Sequence, residues 1–433
     1  MLEVNIIGAG LAGSEAAYQL SKRGVKVNLY EQKPIKKHEA FKTNDFAELI
    51  CSNSLRSNNI QNGVGLLKEE MRLLDSLIMK SADLNALPAG TSLAVDRVNF
   101  SKYITDTLKN DPNINIIYEE VKDINTTLPT IIASGPLSDG SIADSIKKLC
   151  GRDYLYFFDA IAPIVKKDSI DFNKAYYKSR YKEDEEGDYI NCPMDENEFN
   201  KFYDTVINGD VVKLHEMDEK YFEGCLPFEE MAKRGKKTLL FGPMKPVGLE
   251  HEGKRPYAVV QLRKDNAIDS LYNIVGFQTH LTYGAQDKVL KTIPGLENVE
   301  VVRHGQMHRN TYINSPKVLN NNYQFINYPN VFIVGQISGV EGYVESAGSG
   351  LYAALCMFQY LKGEIKYKLD KDTMLGAMAN YISDEHIEKL VPMNANYGLM
   401  VSDYKGKKDK KREYMANNSL NIIKEYKEKI DNV

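Results

Sequence analysis

Apolar positions in the first thirty residues fall into two short runs, Leu2 to Ile7 and the alternating VKVNLYE. Between them lie a glycine cluster and SEAAYQLSKRG, whose apolar residues recur at helical spacing, so the pattern predicts strand, helix, strand. GLLKEEMRLLDSLIMKSA from Gly65 and VDRVNFSKYITDTL (Val95 to Leu108) keep a helical period, whereas NINIIYEEV and TIIASGPL (Thr130 to Leu137) predict two further strands. A parallel sheet running to about residue 165 follows from this alternation.

From Tyr176 the texture changes. YYKSRYKEDEEGDYINCPMDENEF is polar, aromatic and charged, and FEGCLPFEEMAKRGKKTLLFGPMKPVGL and RPYAVVQLRKDN are turn-rich apolar pieces that fit a mostly β insertion. Near residue 300 the earlier style returns: NVFIVGQISGVEGYVESAGSGLYAALCMFQYL, from Asn330, predicts a strand, a glycine-rich turn and a buried helix. The remaining residues are helical in pattern and carry the basic cluster KGKKDKKR, Lys405 to Arg412. The expected organisation is an α/β, Rossmann-like domain built from residues 1–170 and 300–433, interrupted by an α+β insertion at 171–299.

A chain of 433 residues is long enough for two cores, and 43% hydrophobic with 26% charged residues is an ordinary globular balance. With 55 Lys and Arg against 59 Asp and Glu, the molecule is no polycation, so any nucleic-acid contact must be a local patch. No apolar run approaches the roughly eighteen residues of a membrane span, and the amino terminus begins a strand directly; no membrane contact and a cytoplasmic location are expected. Cys51, Cys150, Cys192, Cys225 and Cys356 contain no C-x-x-C pair, which argues against a zinc cluster or a local redox disulfide.

Gly8, Gly10 and Gly13, spaced by Ala9, Leu11 and Ala12, form G-x-G-x-x-G between the first strand and helix. The first glycine permits the tight turn, the second lets backbone approach a pyrophosphate, and the third allows helix and strand to pack. Glu31 ends the second strand 18 residues after Gly13, where a carboxylate can accept both hydroxyls of a ribose. A glycine turn with no ligand is the plainer reading, and strand, helix and acid together favour a dinucleotide over it. FAD and NAD share the fingerprint. The second glycine turn, with Gly335, Gln336 and then Tyr343 at a helix start, suits the pyrimidine end of an isoalloxazine ring and favours a glutathione-reductase-type FAD domain; the alternative is a closely packed buried helix.

Cys51 opens the polar CSNSLR and Cys225 stands in FEGCLP between Gly224 and Pro227, while Cys356 lies in an apolar helix. Taken singly, Cys51 and Cys225 read as structural. A reactive cysteine needs a nearby cation or helix terminus to favour its thiolate.

Ten segments in one order carry a resemblance over essentially the whole chain: IIGAGLAGSEAA, FAELICSNSLRS, GLLKEEMR, FEGCLPFEEMAKRG, TLLFGPMKPVGL, PYAVVQLR, YNIVGFQTHL, IPGLENVE, GQMHRNTYI and GQISGVEGYVES. The sequence resembles the TrmFO family of folate- and flavin-dependent tRNA (uracil-5-)-methyltransferases; the related GidA-type flavoproteins are expected to share the FAD portion. The resemblance implies methylation of a T-loop uridine, position 54, at C5. Methylenetetrahydrofolate supplies the carbon, reduced FAD the electrons, and NADPH or NADH replenishes them. It assigns Cys225 to attack on uracil C6, Cys51 to proton transfer or protection beside the flavin, and Asn53 to hydrogen bonding of flavin or base. The insertion would then face the RNA. One departure, GAQDKV where an acidic residue is expected before the glutamine, leaves the chemical motifs untouched. The same chemistry on a 23S rRNA uridine is the nearest alternative; a small-molecule flavin thiol oxidoreductase is disfavoured by the lack of C-x-x-C.

His304 and His308 in HGQMHRN are i, i+4 neighbours without the glutamate of H-E-x-x-H, so no zinc is expected. Arg309 and Asn310 would suit a folate carboxylate or flavin edge. KRGKK (Lys233 to Lys237) and the Lys405 to Arg412 cluster are either solvated faces or RNA-backbone contacts, and the tyrosine-rich stretch from Tyr176 reads as a solvent-exposed loop.

Overall fold

A computed structural model of the chain describes residues 2–151, 155–160, 162–180, 187–212, 226–407 and 410–433, with backbone alone at 155–160 and 307–309. The strand Glu3–Ile7 lies at the centre of a five-stranded parallel sheet, flanked by Lys26–Glu31 and Ile114–Tyr118 on one side and by Thr130–Ile132 and Val331–Ile333 on the other. The last strand comes from the far end of the chain. The helices Leu11–Ser21 and Tyr343–Leu361 pack closely against each other, and a Cβ at Gly350 would stand 2.2 Å from the Ala12 carbonyl oxygen. The second of these helices is buried almost all round, matching its mostly apolar and small residues.

The run read as one helix from Gly65 is two, Gly63–Leu73 and Leu77–Leu84. Asp75 takes φ +59°, and Ser76 caps the second helix through Met79 N–H at 3.1 Å. The buried Glu15 carboxylate accepts the Ser76 hydroxyl at 2.6 Å and Ile78 N–H at 2.9 Å, so the break is held from another helix. Likewise Val95 ends a strand, Ser92–Val95, and the helix Arg97–Lys109 starts only after the Asp96 cap. The parallel sheet does not continue to residue 165: Leu155–Ala160 pairs antiparallel with Met307–Tyr312 outside it.

A second apolar core surrounds a six-stranded sheet in the order Tyr176–Tyr177, Tyr189–Met194, Ala258–Lys264, Leu271–Ile274, Ile164–Lys166, Val301–Arg303. Val165 is wholly buried in it and Val301 packs on it, so this body reaches a few residues beyond 171–299 at each end. Apolar residues of the bounding strands have their partners there. FEGCLPFEEMAKRGKKTLLF, read as turn-rich β, instead supplies the helices Phe228–Lys233 and Lys236–Phe241; Phe228 stacks on Phe277 with centroids 4.1 Å apart.

The C-terminal helices Met374–Ile382 and Lys411–Asp431 are strapped to Gly63–Leu73 by the fully buried Glu70. It accepts N–H groups of Met374 (2.6 Å) and Leu375 (2.8 Å) and the Ser419 hydroxyl. Burial, only partly offset by these bonds, raises its pKa to about 7. Because the folded carboxyl holds its proton more tightly than the unfolded one, the native state binds more protons between about pH 4.5 and 7, and stability falls as pH rises through that window. Above it the group is ionised in both states and the penalty is constant.

At the first strand-to-helix junction Gly8 takes φ +101°, and a Cβ there would lie 2.5 Å from the Ala133 carbonyl oxygen; a Cβ on Gly13 would lie 1.8 Å from the Gly8 oxygen. Gly10 has nothing within 4 Å. Gly13→Ala is therefore expected to destabilise the protein by about 2 kcal/mol or more in urea unfolding, and Gly10→Ala by under about 1 kcal/mol. Replacing Glu70 by Gln should flatten the pH dependence. Its stability relative to wild type, followed by urea midpoints from pH 4.5 to 7.5, should rise by about 3 kcal/mol at most across the window.

Candidate functional site

The glycine junction opens into a groove whose wall includes Gly8, Ala9, Gly10, Leu11, Ala12, Glu31, Cys51, Gly335, Gln336 and Tyr343. Helix Leu11–Ser21 begins at this wall with Gly10 as its cap and no acidic residue in its first turn, which leaves its amide dipoles open to an anion. Gly13 lies behind the wall and acts through packing alone.

Glu31 is buried, and its two oxygens accept Ala9 N–H (3.0 Å) and Lys33 N–H (2.9 Å). These bonds fix the carboxylate at the end of its strand. Each oxygen keeps a lone pair for a hydroxyl donor in the groove. A turn with no room for a Cβ at Gly8 and open space beside Gly10, an open helix amino terminus and a fixed acceptor fit the phosphate and ribose of a dinucleotide such as FAD.

At the other end Gly335 takes φ +76° and donates to Ser349 Oγ at 2.8 Å, and Gln336 Nε2 donates to Glu341 Oε2 at 2.5 Å. Tyr343 opens the long buried helix, and its hydroxyl accepts N–H from Cys51 at 2.6 Å and Ser52 at 3.3 Å. Burial first, and then the neighbouring Cys51, hold this phenol well above its ordinary pKa, so it stays protonated. Cys51 is thereby fixed at the wall, half-buried. By contrast, burial pushes Cys150 and Cys356 up to about 12 and Cys192 up as well, leaving them inert thiols of the cores.

Asn53 is not on the wall. Its Nδ2 donates to Val95 O (3.0 Å) and Lys264 O (2.9 Å), and its Oδ1 accepts Arg263 Nε at 3.1 Å. The fully buried amide joins the two bodies.

Cys225 and the side chains of His308 and Arg309 lie outside the described residues. His304 pairs with Asp287 at 2.9 Å and stacks on Tyr283, away from the groove. Asn310 does line the groove. Lys233 is engaged by Glu230 at 2.6 Å and Lys236 by Asn200 at 2.7 Å. Within Lys405 to Arg412, residues 408 and 409 lie outside the described set. Sequence reading missed Lys33, Phe41 and the turn Ser134, Gly135, Pro136, which also line the groove. Only the G-P dipeptide signalled the turn. Among the described residues there is no cluster of His, Cys, Asp or Glu fit to hold a metal ion, and no helix long and apolar enough to cross a membrane.

Residues 3–365 match the family model described as GIDA, glucose inhibited division protein A. The methylenetetrahydrofolate–tRNA-(uracil-5-)-methyltransferase TrmFO of Staphylococcus aureus strain JH9 is 57% identical over 430 residues, 98% of this chain and 98% of its own. TrmFO of strain Newman is 57% identical over the same share. Aquifex aeolicus GidA, in its form II crystal, shares the fold with a TM-score of 0.73 at 16% identity, over 100% of this chain and 74% of its own; form I gives 0.71. The likeness runs through the insertion, further than the FAD portion alone. A family match spanning both bodies, together with full-length identity of this degree, means that the chain belongs to the GidA family and, within it, to the TrmFO branch.

Proposed function

We propose that this protein methylates C5 of the T-loop uridine at position 54 of tRNA, with methylenetetrahydrofolate as carbon donor, reduced FAD as reductant and NADPH or NADH as the source of hydride, in the cytoplasm. The observation that carries the proposal is that Cys51 lines the same groove as the Gly8–Gly10 loop, Glu31 and the Gly335–Gln336 turn. The activity named for relatives at 57% identity supports it.

Glu31 would accept the ribose hydroxyls, the amide groups at the start of helix Leu11–Ser21 would face the pyrophosphate, and Gly335, Gln336 and Tyr343 would flank the flavin ring. When bound, reduced FAD supplies the two electrons that bring the transferred one-carbon unit to the level of a methyl group. The rest falls to side chains. Uracil C5 is a weak nucleophile until a thiolate adds to C6; the Cys225 sulfur, assigned by its motif, forms that S–C bond and sends the C5–C6 π pair to C5. After C5 has bonded to the one-carbon unit, the Cys51 thiolate takes the C5 proton, and the pair left on C5 expels the Cys225 sulfur. Tyr343 keeps Cys51 in place by holding its backbone N–H.

A T-stem-loop RNA carrying 5-fluorouridine has no C5 proton to give up, so it should trap the C6 adduct. A denaturant-resistant band on a gel is expected with wild type, retained in Cys51→Ala and lost in Cys225→Ala. With labelled methylenetetrahydrofolate and natural substrates, Cys51→Ala should slow methyl transfer by about 10²–10⁴-fold. Label should enter tRNA rather than 23S rRNA transcripts offered beside it. An adduct that survives Cys225→Ala, or preference for the rRNA, would remove this reading.

A further inference from the structure

The peptide units on either side of Cys51 are both held by side chains distant in sequence. Arg97 Nη1 donates to Leu49 O and Ile50 O, each at 3.1 Å. The Tyr343 hydroxyl accepts Cys51 N–H at 2.6 Å and Ser52 N–H at 3.3 Å. Ile50 C=O and Cys51 N–H belong to one planar unit, so a grip on both of its ends fixes its plane. The next unit is gripped through Ser52 N–H. With the planes before and after it restrained, φ and ψ of Cys51 are restrained, and with them the direction of its Cα–Cβ bond. The sulfur keeps only the staggered rotations about that bond.

The phenol belongs to the first body, but the guanidinium is anchored by the second. Arg97 Nε donates to Asp265 Oδ1 at 3.1 Å, and Nη2 stands 3.0 Å from the same oxygen. Asp265 is buried and directly follows the strand Ala258–Lys264 of the insertion sheet. A guanidinium is a planar fork, so fixing one edge on a carboxylate aims the nitrogen that faces the two carbonyls. The contacts beside it come from the same stretch of the insertion. Ala267 N–H donates to Asp96 Oδ2 at 2.6 Å, just before Arg97, and Arg263 Nη2 donates to Ser52 Oγ at 2.9 Å, just after Cys51. None of the described residues of the insertion lines the groove, so these contacts are its hold on that part of the wall.

We propose that Arg97 is a positioning residue for Cys51 and that Asp265 orients it: the insertion aims the sulfur through the backbone of the wall. This rests on the reading of Cys51 as the acceptor of the C5 proton. Proton removal needs the sulfur within hydrogen-bond reach of that carbon, and a misplacement of about 1 Å can cost about 10²-fold. Neither Arg97 nor Asp265 lines the groove. Loosening the pair therefore leaves flavin binding and the addition of Cys225 to C6 alone, and slows the step that Cys51 performs.

The test is a double-mutant cycle on the flavin-loaded, full-length protein, with tRNA and labelled methylenetetrahydrofolate as substrates. Arg97→Lys keeps the charge but cannot span both carbonyls and the carboxylate, and Asp265→Asn keeps the shape but drops the charge. Each should lower kcat by about tenfold or more, with KM for tRNA and for the folate within about twofold of wild type. In the Cys51→Ala background the same changes should cost less than about twofold. Flavin content and the 5-fluorouridine adduct should stay at their wild-type levels. A purely structural role would lower both, and would cost kcat equally in the two backgrounds. Equal losses with and without Cys51, or an undiminished kcat in both variants, overturn the proposal. Wild type supplies a measurement that needs no variant to fold: the amides of Cys51 and Ser52 should exchange hydrogen about 10²-fold or more slowly than in a free chain, and exchange at the free-chain rate overturns it too. Full activity in Cys51→Ala alone would instead retire Cys51 as proton acceptor, a result distinct from a cycle in which Cys51 matters and Arg97 does not act through it.

Discussion

The carbonyl oxygens of Gly8 and Ala133 stand so close to the first strand-to-helix junction that neither Gly13 nor Gly8 has room for a Cβ. From this crowding the rest of the site follows. With the junction compressed, helix Leu11–Ser21 begins directly at the end of the central strand, and its unpaired amides open into the groove instead of into protein. The neighbouring strand then ends with Glu31 close enough for Ala9 N–H to bind its carboxylate, so the glycine turn and the acidic end of the groove are built as one piece. Gly350 repeats the device on the second helix, where the Ala12 backbone would collide with any larger residue.

The two ends of the groove come from sequence positions nearly three hundred residues apart, and one phenol ties them together beside the packing of the two helices. Tyr343 reaches from the start of its helix to the amides of Cys51 and Ser52. Its acceptor role needs a lone pair rather than a charge, and burial suits that role because it keeps the hydroxyl neutral. This hydrogen-bonded side chain therefore helps fix Cys51 relative to the second glycine turn.

Much of this was legible in the sequence where the local signal and the tertiary requirement agree. The strand, the glycine turn, the helix and Glu31 are all short-range features, and each lies where its spacing put it. The long segment from Gly65 was misread because the break at Asp75 is stabilised by Glu15, sixty residues earlier and invisible to periodicity. The helices after Phe228 were misread because Gly and Pro at their ends resemble turns, while the apolar residues between them pack on Phe202 and Phe277 in a core no local pattern reveals. The bridging role of Asn53 was not legible, since its partners Val95, Lys264 and Arg263 are all distant in sequence.

The Asn53 bridge has a thermodynamic corollary. Its amide donates one hydrogen to Val95 O within the first body and makes two bonds across the seam, to Lys264 O and from Arg263 Nε, two residues beyond the cysteine on the groove wall. Whatever occupies the groove and restrains that wall also restrains the seam, and by reciprocity a wedge driven into the seam must weaken occupancy of the groove. Loss of the prosthetic group and parting of the two halves are thus coupled equilibria, and a preparation that sheds one should be found loosening the other.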